Sequence, residues 1–270
     1  MSNKVWFITG ASKGLGLTLA QRLISKGFRV AATSRKIADL ENSIGKKSDN
    51  FLPLTTDLKS EESVAASIEA AVKHFGNIDV IVNNAGYGQI GSIEELTDEE
   101  SRENFNVNVF GSLNVIRKAM PFLRKQGSGH IFNISSIGGF NGAFPGFGIY
   151  CASKFAVEGF SESLAAEVKP FGVNVTIVSP GYFRTNFLDS GSLGLPKNEI
   201  EEYKLVRDVQ SQHQHSINGN QAGDPVKAAD VLIEVSQQAD PALHLFLGSD
   251  AYQLAKAKIA SVEADMKSVE

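Results

Sequence analysis

Tyr150 and Lys154 stand four residues apart in the stretch IYCASKFAV (149–157), among small and apolar neighbours. On a helix, positions i and i+4 share a face, so a phenol and an ammonium at this spacing can point into one site. The ammonium favours tyrosinate over tyrosine and is expected to bring the phenol down from its reference pKa of about 10 towards working pH. A phenol tuned in this way can give and take a proton at a substrate oxygen. Ser136, in NISSIGG (133–139), can hydrogen-bond the same oxygen. Ser135 is the alternative register and lies further along the chain from Tyr150. Cys151 sits about 100° of helix rotation away from Tyr150 and reads as a small packing thiol.

A second set of residues suits a dinucleotide. In TGASKGLG (9–16), Gly10, Gly14 and Gly16 follow an apolar run and open a helical pattern. Glycines there let the backbone turn tightly, and the helix N-terminus offers free N–H groups to a diphosphate. The spacing is G-x-x-x-G-x-G rather than the common G-x-G-x-x-G. The next strand ends at Ser34 and Arg35 with no acid beside them, where NAD sites commonly carry a carboxylate for the ribose hydroxyls. Lys13 adds a second cation. Two cations attract a 2′-phosphate, so the expected cofactor is NADP(H). In NNAG (83–86), Asn84 can brace a loop and Gly86 permits close approach. Asp57 is either a turn or capping residue or a partner for an adenine amino group.

The elements that must position these groups alternate. Nearly continuous apolar runs at 4–9, 28–33, 51–56, 79–84, 130–135, 173–179 and 243–248 predict strands buried on both faces, as in a parallel sheet. Helical patterns fall at 14–27, 36–44, 61–75, 97–125, 150–169, 198–210 and 223–238, with a charged helix at the C-terminal end. Asp224 is the expected N-cap of the helix with Pro225 at its first position, and Thr97 can cap another. This rhythm predicts an α/β fold, one Rossmann-type domain over 1–270, doubly wound around a mostly parallel sheet of about seven strands with helices on both faces. Glycine loop, Arg35, Asp57, Asn84, Ser136 and Pro180 all fall just past the C-terminal ends of predicted strands, the edge where open parallel sheets bind ligands. Residues 186–224 break the rhythm and are expected to form a substrate lid or loop.

The 270 residues are 42% hydrophobic and 21% charged with formal net charge −4. That balance argues against a nucleic-acid surface or a polybasic membrane patch. No apolar run approaches the roughly 18–20 residues of a spanning helix, and no signal-peptide pattern opens the chain. The single cysteine fits a reducing compartment, and a cytoplasmic location is the expectation. HQH (213–215) has no third ligand at metal-site spacing, so solvated histidines and no metal are expected. Phe140, Phe144, Phe147, Tyr182 and Phe187 are candidates to line an apolar pocket, some of them being core.

In their order along residues 4–185, TGASKGLG, NNAG, NVNVFG (106–111), the serine loop, YCASK and PGYFRT (180–185) resemble the short-chain dehydrogenase/reductase family. The resemblance implies Tyr150 as catalytic acid/base, Ser136 as stabiliser of the carbonyl oxygen, and Lys154 as holder of the nicotinamide ribose. It implies that Asn108 binds a water relaying protons to Lys154. The implied cofactor site comprises Gly10, Ser12, Lys13, Gly14, Leu15 and Gly16, then Ser34, Arg35, Asp57 and Leu58. It continues through Asn84, Ala85 and Gly86, Tyr150 and Lys154, to Pro180, Gly181 and Thr185 beside the nicotinamide carboxamide. The interval from Ser136 to Tyr150 is fourteen residues, one more than the family's usual spacing. The implied activity is hydride transfer between NADP(H) and a carbonyl or secondary alcohol, foremost reduction of a bulky apolar ketone or aldehyde. A regulator that binds NADPH without turnover and a non-redox epimerase- or dehydratase-type member are the alternatives. The helical C-terminal end resembles the steroid- and retinol-dehydrogenase-like branch, which points to a homo-oligomer, a dimer rather than a tetramer.

Overall fold

The computed structural model describes residues 4–189 and 191–269. Residue 190, inside the expected lid, and residues 1–3 and 270 lie outside the described residues. Along the chain run β1 (Val5–Ile8), α1 (Gly14–Ser25), β2 (Arg29–Ser34), α2 (Ile37–Ser43), β3 (Phe51–Thr55), α3 (Glu61–Phe75), β4 (Val80–Asn83) and β5 (Gly88–Gln89). Then come α4 (Asp98–Phe105), a π-helical turn (Asn106–Phe110), α5 (Gly111–Gln126), β6 (Gly129–Ile134), α6 (Gly148–Val168) and β7 (Val173–Pro180). The chain continues with β8 (Leu193–Gly194), α7 (Lys204–Ser211), a second π-helical turn (Gln212–Ile217), α8 (Pro225–Val235), β9 (His244–Leu247) and α9 (Ser249–Lys267).

Seven strands form one sheet in the order β3-β2-β1-β4-β6-β7-β9, every neighbouring pair parallel. The period of two along β1 explains the layering. Trp6 and Ile8 face one helical layer with α1 and α8, while Val5 and Phe7 face the other with α3, α5 and α6. Both faces are covered, which is why the strands read as continuous apolar runs. Trp6 stacks on Phe132 at 6.1 Å between ring centres, both fully buried. The expected caps form: Thr97 and Glu100 make a reciprocal capping box on α4, and Asp224 accepts from Val226 N at the start of α8.

The sheet order turns back between β1 and β4, which creates the crevice where doubly wound sheets bind ligands. Three features depart from the sequence expectation. Helix 97–125 contains the π-helical turn Asn106–Phe110 between α4 and α5. The helix expected over 198–210 starts only at Lys204, because Ile200 N donates to the Glu95 carboxylate and the preceding residues follow that contact. A miniature parallel pair, β5 with β8, joins the segment after β7 to the loop after β4, with Gly88 N donating to Ser192 O at 2.9 Å.

Candidate active site

A cleft of about 910 Å³ runs along the C-terminal edge of the sheet. It is lined by Gly10, Ser12, Lys13, Gly14, Leu15, Ser34, Arg35, Asp57, Leu58, Asn84, Ala85 and Gly86. Ser136, Tyr150, Lys154, Pro180, Gly181 and Thr185 line its other end. Of the expected site residues, only Gly16 and Asn108 do not line it.

The glycine loop has a local cause. Gly10 adopts φ +64°, and a Cβ there would lie 2.8 Å from Ala85 Cα. At Gly16 a Cβ would run into Asn84 Nδ2, which donates to Thr9 O at 2.9 Å and Gly10 O at 3.0 Å. Gly16 therefore serves the cleft by letting Asn84 brace the loop. Lys13, at the N-cap of α1, supplies no side-chain cap, so this helix end keeps its N–H groups for another acceptor. A dinucleotide diphosphate fits that end.

Lys13 and Arg35 meet at the outer rim. Burial and the nearby Arg35 charge lower the Lys13 pKa, partly offset by Asp189 and Asp39. Lys13 Nζ also donates to Gly191 O at 2.7 Å, which ties the segment after β7 to the glycine loop. Asp57 behaves as a turn residue, accepting from Lys59 N at 3.0 Å, while α3 is capped by Ser60.

At the inner end, α6 places Tyr150 and Lys154 on the same face, both buried. Ser136 Oγ accepts from Gly138 N at 3.1 Å and its hydroxyl faces the Tyr150 phenol. Ser135 instead points at α6, donating to Lys154 O at 3.4 Å and bonding the buried Glu158. The structure thus brings Ser136, not Ser135, to Tyr150. The long interval between them is taken up by a 3₁₀ turn (Ile137–Gly139) and a loop turning at Gly146.

The expected lowering of the tyrosine pKa is overturned in the protein alone. Burial drives the phenol above its ordinary value, and the Ser136 hydrogen bond only partly opposes it. Lys154 Nζ lies 5.9 Å from the Tyr150 ring centre and donates to Ile134 O at 2.8 Å. Burial lowers its own pKa to about 8, with Glu158 pulling the other way. In a poorly solvated site both groups lean to their neutral forms.

Asn108 sits in the π-helical turn beneath the cleft. Its amide donates to Ser153 Oγ at 3.0 Å, Tyr87 O at 3.1 Å and Asn104 Oδ1 at 3.2 Å. Gly86 separates it from Lys154: a Cβ there would lie 3.0 Å from Asn108 Oδ1 and 3.5 Å from Lys154 Nζ.

His213 and Cys151 both reach the cleft, where the sequence pointed to neither. His213 is buried rather than solvated, its Nδ1 paired with Val209 O at 2.7 Å and its Nε2 with Tyr182 Oη at 2.8 Å. Burial lowers its pKa. His215 stays exposed. Cys151 packs in the cluster with Tyr150 and reaches the cleft wall, its thiol pushed up to about 11 by burial, so it is an inert packing group. Phe144, Phe147, Tyr182 and Phe187 line the cleft, whereas Phe140 packs on Phe246. The segment 186–224 is strapped by Arg207, which grips the buried Glu95 at 2.8 and 2.9 Å. Burial alone would raise the Glu95 pKa, but hydrogen bonds from Ile200 and Ser92 and the Arg207 charge bring it below its ordinary value.

Sheet order, crevice and glycine turn define a dinucleotide-binding domain of Rossmann type. The model of the family described as short chain dehydrogenase matches residues 4–193, and the chain belongs to that family of nicotinamide-dependent oxidoreductases. Oxidoreductase BOA17 of Botryotinia fuckeliana is 36% identical over 253 residues, 93% of this chain and 91% of that protein. The 3-ketodihydrosphingosine reductase of Bacteroides thetaiotaomicron is 42% identical over 203 residues, 75% of this chain and 72% of that one. A solved short-chain dehydrogenase from Streptomyces avermitilis superposes with TM-score 0.89 at 36% identity, covering 98% of this chain and 96% of that one. Among the described residues no helix is long and apolar enough to cross a membrane, and no cluster of three or more His, Cys, Asp or Glu could hold a metal ion.

Proposed function

We propose that the chain uses NADPH to reduce a ketone or aldehyde with a sizeable apolar body. One observation carries this reading: a single continuous cleft has two converging cations at one end and the Ser136–Tyr150–Lys154 group at the other. At the outer end Lys13 and Arg35 suit a 2′-phosphate, with Arg35 and Lys36 rather than a carboxylate directly after β2. The uncapped start of α1 receives the diphosphate, and Lys154 binds the nicotinamide ribose. Bound in this way, the reduced nicotinamide supplies the hydride.

The chain's own residues handle the proton. The Gly138 N–H fills one acceptor position of Ser136 Oγ, so the serine proton has only to turn from the Tyr150 phenol to donate to a carbonyl oxygen. Burial keeps the Tyr150 phenol protonated at neutral pH, which suits it to donate as negative charge grows on that oxygen. Phe144, Phe147 and Phe187 offer an apolar wall, and the 42%-identical relative named as a ketodihydrosphingosine reductase supports a ketone with apolar chains.

The test follows oxidation of NADPH against a panel of apolar ketones and aldehydes. Wild type should turn over. Tyr150→Phe should lose roughly 10²–10⁴-fold in rate, the usual worth of a positioned acid, while still binding NADPH. Tight NADPH binding with no turnover by the wild type on any carbonyl would instead favour a cofactor-sensing protein.

A further inference from the structure

Polar groups that the proposed hydride transfer does not use gather in one corner of the cleft. Tyr182 and His213 line it together with Phe147 and Tyr150. The His213 ring centre lies 4.8 Å from that of Phe147, which lies 6.2 Å from that of Tyr150. Beyond burial, the Tyr182 phenol is close enough to Tyr150 to oppose its ionisation. This corner therefore adjoins the place where a carbonyl would meet Ser136 and Tyr150.

Elementary chemistry fixes the direction of the hydrogen bonds there. His213 Nδ1 pairs with Val209 O at 2.7 Å, and a carbonyl oxygen only accepts, so Nδ1 carries the proton. Burial lowers the His213 pKa and keeps the ring neutral, which leaves Nε2 as an acceptor. Its partner at 2.8 Å is Tyr182 Oη, which must donate. Burial raises the Tyr182 pKa, so the proton stays on the phenol. The phenol oxygen thus has its one proton committed and lone pairs to offer. Turning that proton elsewhere would strand His213 Nε2, the acceptor of a buried ring. Gln221 lines the same cleft two residues before Gly223, whose N–H donates to Tyr182 O at 3.0 Å. Gln221 is 4% exposed, and its Oε1 has no hydrogen-bond partner among the described residues. The corner is short of donors.

We infer that Tyr182 Oη, oriented by His213, accepts a hydrogen bond from a hydroxyl group that the substrate carries close to its carbonyl. The inference rests on the proposed carbonyl reduction and narrows its substrates to hydroxyketones whose remaining body is apolar. A plain ketone leaves the phenol oxygen unfilled. A methoxy group in the same place sets a second acceptor against it. Tyr182 determines specificity, and His213 is the residue that positions it.

The experiment uses two series of ketones, with the hydroxyl α or β to the carbonyl, each compared with its methyl ether and with the deoxy ketone of the same skeleton. NADPH oxidation gives kcat/KM, and titration calorimetry with NADP+ present gives binding without turnover. In at least one series the wild type should favour the hydroxyketone over both analogues by about 10-fold in each measurement, the upper worth of a neutral hydrogen bond. Tyr182→Phe should bring the three compounds within about twofold of one another. His213→Leu frees the Tyr182 proton to donate, so the methyl ether should overtake the deoxy ketone, a reversal that lost packing does not produce. Circular dichroism verifies that each variant is folded. The inference is overturned if the wild type turns over or binds the three compounds alike in both series, an outcome that leaves carbonyl reduction standing when turnover is seen. It is also overturned if Tyr182→Phe keeps the wild-type preference, or if the ether gains nothing in His213→Leu. A hydroxyl preference in binding that Tyr182→Phe abolishes, with no turnover of any compound, would uphold the recognition site and refute the reduction.

Discussion

Replacing Lys154 with methionine should stabilise the folded protein while it removes turnover. The lysine is 4% exposed, and burial lowers its pKa from 10.5 to about 8. Keeping the ammonium charged there at neutral pH costs about 3 kcal/mol. The hydrogen bond to Ile134 O, made at 2.8 Å, returns part of this. A bond from a charged donor is worth ~1.5–3 kcal/mol, so the net gain from methionine is about 1 kcal/mol, a rise in Tm of roughly 2–4 °C for a chain of this size. The pH dependence gives a separate signature. Between about pH 8 and 10.5 the unfolded chain keeps the proton that folded Lys154 releases, so wild-type stability rises with pH there and is lost again as pH falls through about 8. The buried Cys151 thiol and Tyr150 phenol act in the opposite sense, each keeping its proton longer folded than unfolded, from about pH 9 and about pH 10 upward, so the signature is the difference between wild type and Lys154→Met, in which both contributions cancel. Urea unfolding read by Trp6, the single tryptophan, between about pH 7 and pH 9.5 tests both points. Lys154→Met should lack the wild-type upward slope. A variant less stable than wild type at pH 7, or a variant whose stability follows the same pH slope as wild type, would refute the argument from buried charge.

Two further outcomes follow from the cofactor end. Arg35→Asp should weaken NADPH relative to NADH by roughly 10- to 150-fold, the equivalent of one lost charge-assisted hydrogen bond. Fluorescence titration of both cofactors measures the ratio, and equal wild-type affinities would show that Lys13 and Arg35 read no phosphate. Asn84→Ala removes donors to Thr9 O and Gly10 O and should cost ~1–3 kcal/mol in urea unfolding, with weaker cofactor binding. An unchanged midpoint would mean that the glycine loop holds itself.

The elements most legible in the sequence were those with a strong local cause. The run at 51–56 became β3 at Phe51–Thr55, and 130–135 became β6 at Gly129–Ile134, because strands covered on both faces must be apolar throughout. Thr97 and Asp224 were readable as caps, since each bonds a backbone N–H within three residues. The miniature β5–β8 pair was not readable: two residues per strand carry no periodicity. The late start of α7 was hidden for another reason. Ile200 N is taken by Glu95 and the Tyr203 hydroxyl by Glu94, both from about a hundred residues earlier in the chain.

The site divides along the same line. Residue type and spacing pointed to Gly10, Arg35 and Tyr150 in the cleft lining, because a glycine turn, a strand end and an i, i+4 pair are local geometry; Thr185 came from the family resemblance, and Gly16 and Asn108 lie behind the lining. Tertiary structure decided how those groups behave. It placed Ser136 rather than Ser135 against the phenol, turned Asn108 into the interior, and folded the segment after β7 so that His213 meets Tyr182 beside Cys151. It also reversed the expected direction of the Tyr150 pKa. Proton affinity depends on how much water remains around a group, and that is set by segments that arrive from elsewhere in the chain.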